Sequence, residues 1–300
     1  MTAKHISVLL KETIDNLNLQ PGDTLVDATF GGGGHSEYAL QKYKGIKVLG
    51  IDQDENTLHT NCARLKKDYQ NINCVVGNFR NIFEVLEKQG IKEVSAIIFD
   101  LGFSSLQLED SGRGLSFKKD EPLLMTLSSN PGIDDLTAQN IVNDFSVETI
   151  TDLLKTYGEE RFAYRIAQGI VEARKVSPIT TTFELVEVIK NSVPAFYQKG
   201  RIHFATKTFQ ALRIAANDEL SSLKEGLQSG FECLQSGGHM AVISFHSLED
   251  RIVKQFFKNL AEQNLAKIET KKPIVPSDGE VKENPRSRSA KLRIIKKIPE

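Results

Sequence analysis

No stretch of this sequence approaches the roughly 20 consecutive apolar residues that span a bilayer. The opening MTAKHISVLLKETIDNL also lacks the apolar core of a signal peptide. The expectation is a cytoplasmic protein with no membrane partner. Cysteine is scarce: Cys62, Cys74 and Cys233 are an odd set with no C-x-x-C pair. Neither a disulfide framework nor a cysteine-rich zinc site is indicated, and the three read as core or surface thiols. An excess of either charge is lacking too. Against 38 Lys and Arg stand 39 Asp and Glu, a formal net charge of -1, so any grip on phosphate has to come from local patches. Low-complexity tracts and tandem repeats are missing, which sets extended disorder aside. What remains is a composition with 40% hydrophobic and 26% charged residues, that of an ordinary globular protein. Its 300 residues suffice for one large α/β domain with an insertion or for two modest domains.

Four short apolar, β-branched runs occupy the first third: TLVDATF (24–30), KVLGID (47–52), NCVVGN (73–78) and SAIIFDLG (95–102). Amphipathic segments such as ENTLHTNCARLKKD and FRNIFEVLEKQG separate them. The alternation predicts βαβ units and, with right-handed crossovers, an open parallel sheet of the doubly wound kind. From 103 to about 235 the rhythm is helical. ETITDLLKTYGEERFAYRIAQGIVEARK carries Phe162, Ile166 and Ile170 on one face, and Thr181 with Glu184 reads as a capping box. Strands return with HMAVISFHS after Gly237-Gly238, then KIETKK and LRIIKKI. The predicted architecture is a Rossmann-like sheet formed by 1–102 and 236–300. A mostly helical subdomain, 103–235, is inserted between its fourth and fifth strands for substrate recognition.

The chemistry starts where the first strand runs into Gly31-Gly32-Gly33-Gly34-His35. A merely tight turn needs one or two glycines; four allow positive φ and close backbone approach, the makings of a nucleotide or cofactor cradle. A dinucleotide G-x-G-x-x-G begun at Gly31 would need glycine at Ser36, which disfavours NAD. Asp52, ending the second strand, can accept from both hydroxyls of a ribose, whereas Asp54 suits a helix cap. Asp100 ends an apolar strand, and a buried unpaired carboxylate is costly, so it is expected to emerge at the ligand edge of the sheet. With Gly102 and Phe103 beyond it, Asp100 resembles the acidic, small, aromatic loop by which amino-methyltransferases hold an exocyclic amine.

HISVLLKE, DATFGGGGHS, DLGFSSLQLEDSGRGLSF, YGEERFAYRIA, ATKTFQALRIAANDEL, ISFHSLEDRIVKQFF and NPRSRSAKLR together resemble the bacterial ribosomal RNA small-subunit methyltransferase H family, in the same order from His5 to Arg293. The resemblance implies a class I S-adenosylmethionine-dependent methyltransferase fold and N4-methylation of a cytosine in the decoding region of 16S ribosomal RNA. It further implies that Gly33, Gly34, His35, Asp52, Phe79, Asp100 and Gln107 hold the methyl donor and that Asp100 is catalytic, with no metal. Homodimerisation and action on the assembled small subunit are family-level expectations. Two places depart from the family pattern. Pro122-Leu123-Leu124-Met125-Thr126-Leu127-Ser128 stands where P-L-D-M-R-M-D is usual, so two acids and an arginine are missing, and His203-Phe204-Ala205-Thr206-Lys207 lacks the usual proline and arginine. RNA contact is expected from the basic segment Lys282 to Lys297, and from Arg161, Arg165, Arg201, Lys207 and Arg213 if these converge. Rival readings are a methyltransferase of DNA or a small molecule, an NAD-dependent oxidoreductase, and a catalytically silent RNA-binding protein.

Overall fold

The computed structural model describes residues 7–102, 112–132 and 135–299. The chain forms two compact units, Met1–Ser104 with Leu220–Glu300, and Ser105–Glu219.

The first unit is built on strands β1 (Thr24–Asp27), β2 (Lys47–Asp52), β3 (Ile72–Val76), β4 (Val94–Asp100), β5 (Leu234–Ser244), β6 (Ala266–Ile268) and β7 (Lys291–Lys297). They form one sheet in the order β3-β2-β1-β4-β5-β7-β6. β1 to β5 are parallel, and β7 runs antiparallel to both β5 and β6. This is the Rossmann-like sheet expected, with one strand from each apolar run. Strand order reverses between β1 and β4, which opens a crevice beyond their carboxyl ends.

Side chains alternate across the sheet. Leu25, Val48, Ile98 and Ile243 face a core shared with α1 (Leu10–Asp15), α2 (Gly34–Lys42) and α3 (Glu55–Lys66). Val26, Leu49, Phe99 and Val242 face the other core, shared with α4 (Ile82–Lys88), α11 (Glu219–Cys233) and α12 (Ser247–Glu262). A short helix, α13 (Asp278–Glu283), ties the end of the chain to its beginning, because the Leu9 amide donates to Glu280 at 2.7 Å. Among the described residues no helix is long and apolar enough to cross a membrane.

Two expectations are corrected here. The sequence pattern extends the helical subdomain over 103–235, yet the second unit ends at Glu219 and α11 belongs to the sheet. Leu223, Leu227 and Phe231 recur at i, i+4, i+8 and are buried against β4 and β5. That burial contributes about 1.5–3 kcal/mol per side chain, which decides where the helix docks. Second, Cys62 of α3 and Cys74 of β3 are disulfide-bonded, and only Cys233 is a buried free thiol. Spacing hid the pair, since the α3 to β3 turn folds the helix back beside its own following strand.

The second unit contains α5 (Ala138–Asp144), α6 (Val147–Gly158), α7 (Ala163–Val176), α8 (Thr182–Ser192), α9 (Ala195–Gln198) and α10 (Thr206–Ala216) around Ile141, Leu154, Ile166, Ile170, Leu185 and Leu212. The long helical pattern through 148–175 is broken in two. Glu159 adopts φ 46, and a Cβ on Gly158 would lie 2.7 Å from the Lys207 carbonyl, so α6 stops against α10. Thr181 and Glu184 form the expected capping box of α8. The divergent loop is part of this core: Leu123 and Met125 are buried, and Asn217 clamps the Met125 carbonyl and the Leu127 amide, each at 2.8 Å.

Candidate functional site

After β1 the chain is pinned to both neighbouring strands, Ala28 donating to Ile98 of β4 and Phe30 to Ile51 of β2, each at 2.9 Å. The glycine loop follows directly and ends as the N-terminus of α2. Gly31 and Gly33 have φ of 47° and 72°. A Cβ on Gly33 would meet the Phe30 ring at 2.8 Å and Leu65 at 3.0 Å, and one on Gly34 would run into the Ser7 hydroxyl. Around Gly31 there is open space, with only the Thr29 carbonyl within reach, at 3.8 Å. From α3, Asn61 donates to the Gly31 carbonyl and Arg64 to that of Gly32, both at 3.0 Å. Phe30, Asn61 and Arg64 are thus the loop's supports. Sequence reasoning missed them because their contacts come from neighbouring elements. Gly33→Ala should strain the loop by about 1–2 kcal/mol before any shift of Phe30. The expected fall in Tm in a thermal melt is about 2–8 °C; an unchanged Tm would show that the loop leaves its left-handed conformation at no cost.

Three carboxylates end three adjacent strands: Asp27 on β1, Asp52 on β2 and Asp100 on β4. Asp52 accepts from the Gly31 amide at 2.7 Å and the Asp54 amide at 2.9 Å, one bond to each oxygen. Burial pushes its carboxyl upward, and these backbone bonds oppose the shift. One lone pair on each oxygen remains for a ligand. Asp54 caps α3 as expected, accepting from the Thr57 amide at 3.1 Å.

Asp100 emerges at the sheet edge with its side chain 18% exposed. Its amide donates to the Thr29 hydroxyl at 2.6 Å, and one carboxylate oxygen is buried without a partner among the described residues. Burial raises its carboxyl well above the ordinary range, with the charges of Asp27 and Glu249 adding to the shift. His35 Nδ1 lies 3.6 Å from the other oxygen, too far for a hydrogen bond. Its Nε2 is 3.1 Å from the Val8 carbonyl, which can only accept, so Nε2 carries the hydrogen.

Asp27 is the residue of this edge that sequence reasoning passed over. It is 1% exposed, accepts from the Ser36 hydroxyl at 2.7 Å, and leaves its second oxygen unpartnered among the described residues. Burial lifts its pKa to about 6. The signal was present in the sequence: an aspartate ending an apolar strand, as at Asp100.

Phe79 is half-buried, edge-on to Phe99 at 5.6 Å, and fills the space left by Gly226 of α11, where a Cβ would lie 2.7 Å from its ring. Packing accounts for its position. His246 is the N-cap of α12 in a capping box with Glu249. Gln107 and Phe103 lie outside the described residues.

The expected basic faces are only partly available. Lys291 and Arg293 pair with Asp250, and Lys297 donates to the carbonyls of Phe231, Glu232 and Leu234, so three of the seven basic residues of the terminal cluster secure β7. In the second unit Arg213 makes a bidentate pair with Glu219 at 2.7 and 2.8 Å, and Lys207 donates to the Glu159 carbonyl.

The sequence pattern of the MraW methylase family matches residues 2–298 of this chain. The ribosomal RNA small subunit methyltransferase H of Clostridium botulinum (strain Kyoto / Type A2) is 46% identical over 315 aligned positions, covering 99% of this chain and 100% of that protein. The protein of that name from Sulfurihydrogenibium sp. (strain YO3AOP1) is 45% identical, covering 98% and 99%. Among solved structures, an rRNA methylase from Streptococcus thermophilus aligns with a TM-score of 0.46 at 11% identity, covering 96% of this chain and 93% of that one.

Proposed function

The chain belongs to the MraW methylase family, and on that premise we propose that it transfers a methyl group from S-adenosylmethionine to the N4 amine of a cytosine in the decoding region of 16S ribosomal RNA. Its relatives are named for methylation of small-subunit ribosomal RNA. The observation that carries the N4 assignment is Asp100, whose carboxylate reaches the strand-order reversal with one oxygen buried and unpartnered among the described residues.

The residues present fit the donor. Asp27 and Asp100 each keep a buried oxygen without a partner among the described residues. That arrangement is unfavourable by about 1–3 kcal/mol or more in a purely structural role and is relieved by a ligand carrying positive charge and N–H donors. Open space at Gly31 leaves room for close backbone approach. When bound, the donor supplies a sulfonium methyl electrophilic enough to need no metal. Asp52 holds the ribose hydroxyls with its remaining lone pairs. Gly33, Gly34, His35, Phe79 and Gln107 complete the donor site by family resemblance. Asp100 accepts an N–H of the cytosine amine, keeps the nitrogen lone pair aimed at the methyl, and takes the proton released as the N–C bond forms. Its raised pKa suits it to that last step. Positioning and electrostatics provide most of the rate.

The test is incubation of the protein with methyl-labelled S-adenosylmethionine and small subunits from cells lacking the enzyme, followed by nucleoside mass spectrometry. N4-methylcytidine is expected. Label on another nucleoside would overturn the assignment of the target atom, and donor binding without labelled RNA would overturn the substrate.

A further inference from the structure

The second unit exposes aromatic rings that its core does not need. Phe196, on the one-turn helix α9, is 65% exposed, and Tyr164 on α7 is 53% exposed. Phe196 leans on the half-buried Phe162 at a centroid distance of 6.1 Å, and Phe162 in turn packs on Tyr197 at 4.9 Å. The Tyr197 hydroxyl is anchored to the buried Glu160 at 2.8 Å, and the Phe162 amide donates to the same carboxylate at 2.9 Å. The cluster therefore has a fixed base and a wet upper face.

Its neighbours are mostly cationic, with Glu159 the exposed acid beside Arg161 in sequence. The Arg161 guanidinium lies 5.5 Å above the Phe162 ring. Arg161 and Arg165 on one side of the sequence gap, with Lys199 and Arg201 on the other, are all exposed. None of these four is ion-paired among the described residues. Glu160 is consumed by Tyr197, so its charge is turned inward. Cations interleaved with exposed aromatics are the pattern by which single-stranded nucleic acid is held, its bases on the rings and its phosphates on the cations.

We infer that Phe196, Phe162 and Arg161 form a stacking platform for an unpaired base of the RNA substrate. This deepens the proposed function and rests on an RNA substrate. The site selects single strands over duplex, because a base inside a helix has no free face to offer. A second copy of the chain is the competing occupant, and charge disfavours it, since two such faces would bring like charges together.

The chain contains no tryptophan, so a Phe196→Trp variant carries a single fluorescent reporter at the platform. A short single-stranded RNA of mixed sequence should quench it, and the same sequence annealed into duplex should not. Phe196→Ala and Phe196→Leu should weaken binding of that RNA, read by anisotropy, about fivefold or more, whereas Phe196→Trp should retain it. Leucine keeps the apolar bulk and loses the π-face, so equal losses in Ala and Leu report stacking and not folding. S-adenosylmethionine affinity and Tm should be unchanged in all three.

Absence of quenching, with wild-type RNA affinity in Phe196→Ala, would overturn the platform. So would a change in sedimentation from dimer to monomer in Phe196→Ala with RNA affinity untouched, which assigns the face to self-association. N4-methylcytidine formation by the wild type, scored on small subunits in parallel, reads the proposed reaction separately, so failure of the platform and failure of the substrate assignment leave different records.

Discussion

Asparagine in place of Asp100 is expected to slow methyl transfer at saturating donor by on the order of 10²–10³-fold. The amide oxygen can still accept an N–H from the target amine, but it cannot take the proton that leaves when the N–C bond forms. Alanine loses both roles and should be at least as slow. A pH profile separates them. Only the ionised form of Asp100 accepts a proton, and burial raises its pKa well above the ordinary carboxylate range. The wild-type single-turnover rate should therefore climb with pH along a limb centred above that range, and the limb should be missing in Asp100→Asn. An Asp100→Asn enzyme within a few-fold of wild type would leave Asp100 an acceptor only and place the proton elsewhere.

The second large effect is on stability, and it runs opposite to the usual loss on mutation. Asp27 is charged at neutral pH although burial lifts its pKa from 3.8 to about 6. The folded state then binds this proton more tightly than the unfolded chain. Asp27 thus contributes a stability deficit that is absent below the unfolded pKa, grows through the window from 3.8 to about 6, and is complete above it. The shift of about two units corresponds to a ceiling of about 3 kcal/mol. Asp27→Asn keeps an acceptor for Ser36 and removes the charge, so the ligand-free protein should melt higher at pH 7.5, by about 2–4 °C for each kcal/mol recovered. The gain should vanish near pH 4. If the charge serves the donor, the same variant should bind S-adenosylmethionine about tenfold more weakly, the worth of one charge-assisted hydrogen bond. Lower stability of Asp27→Asn at pH 7.5 would mean that the new amide group finds no acceptor and that its burial outweighs the relieved charge.

These two aspartates show how unevenly the site can be read from the chain. Both end apolar strands at the sheet edge, yet only Asp100 stands out in the sequence, because Asp27 is overshadowed by the glycines that follow it. Gly33, Gly34, His35, Asp52 and Asp100 come together at one edge, as the strand-turn-helix pattern requires: parallel strands deliver their carboxyl ends to the same side. Phe79 arrives there too, but it is packed against Phe99 and Gly226, a contact from a helix almost 150 residues away.

By itself the sequence determined the elements and their sheet. Period-2 and near-continuous apolar runs can bury their backbone only by pairing, and the caps at Asp54 and Thr181 are local hydrogen bonds needing no distant partner. It also determined the family, through long motifs spread over nearly the whole chain. The tertiary structure decided what depends on side chains meeting across elements. It assigned α11 to the sheet, joined Cys62 to Cys74, and spent Arg213, Lys291, Arg293 and Lys297 on internal partners. It also left Phe196 and Arg161 facing water. A charge or a ring in a sequence has no address: whether it becomes scaffold or contact surface depends on which neighbours reach it first, and those neighbours are set by the packing of helices whose surfaces the local pattern does not distinguish.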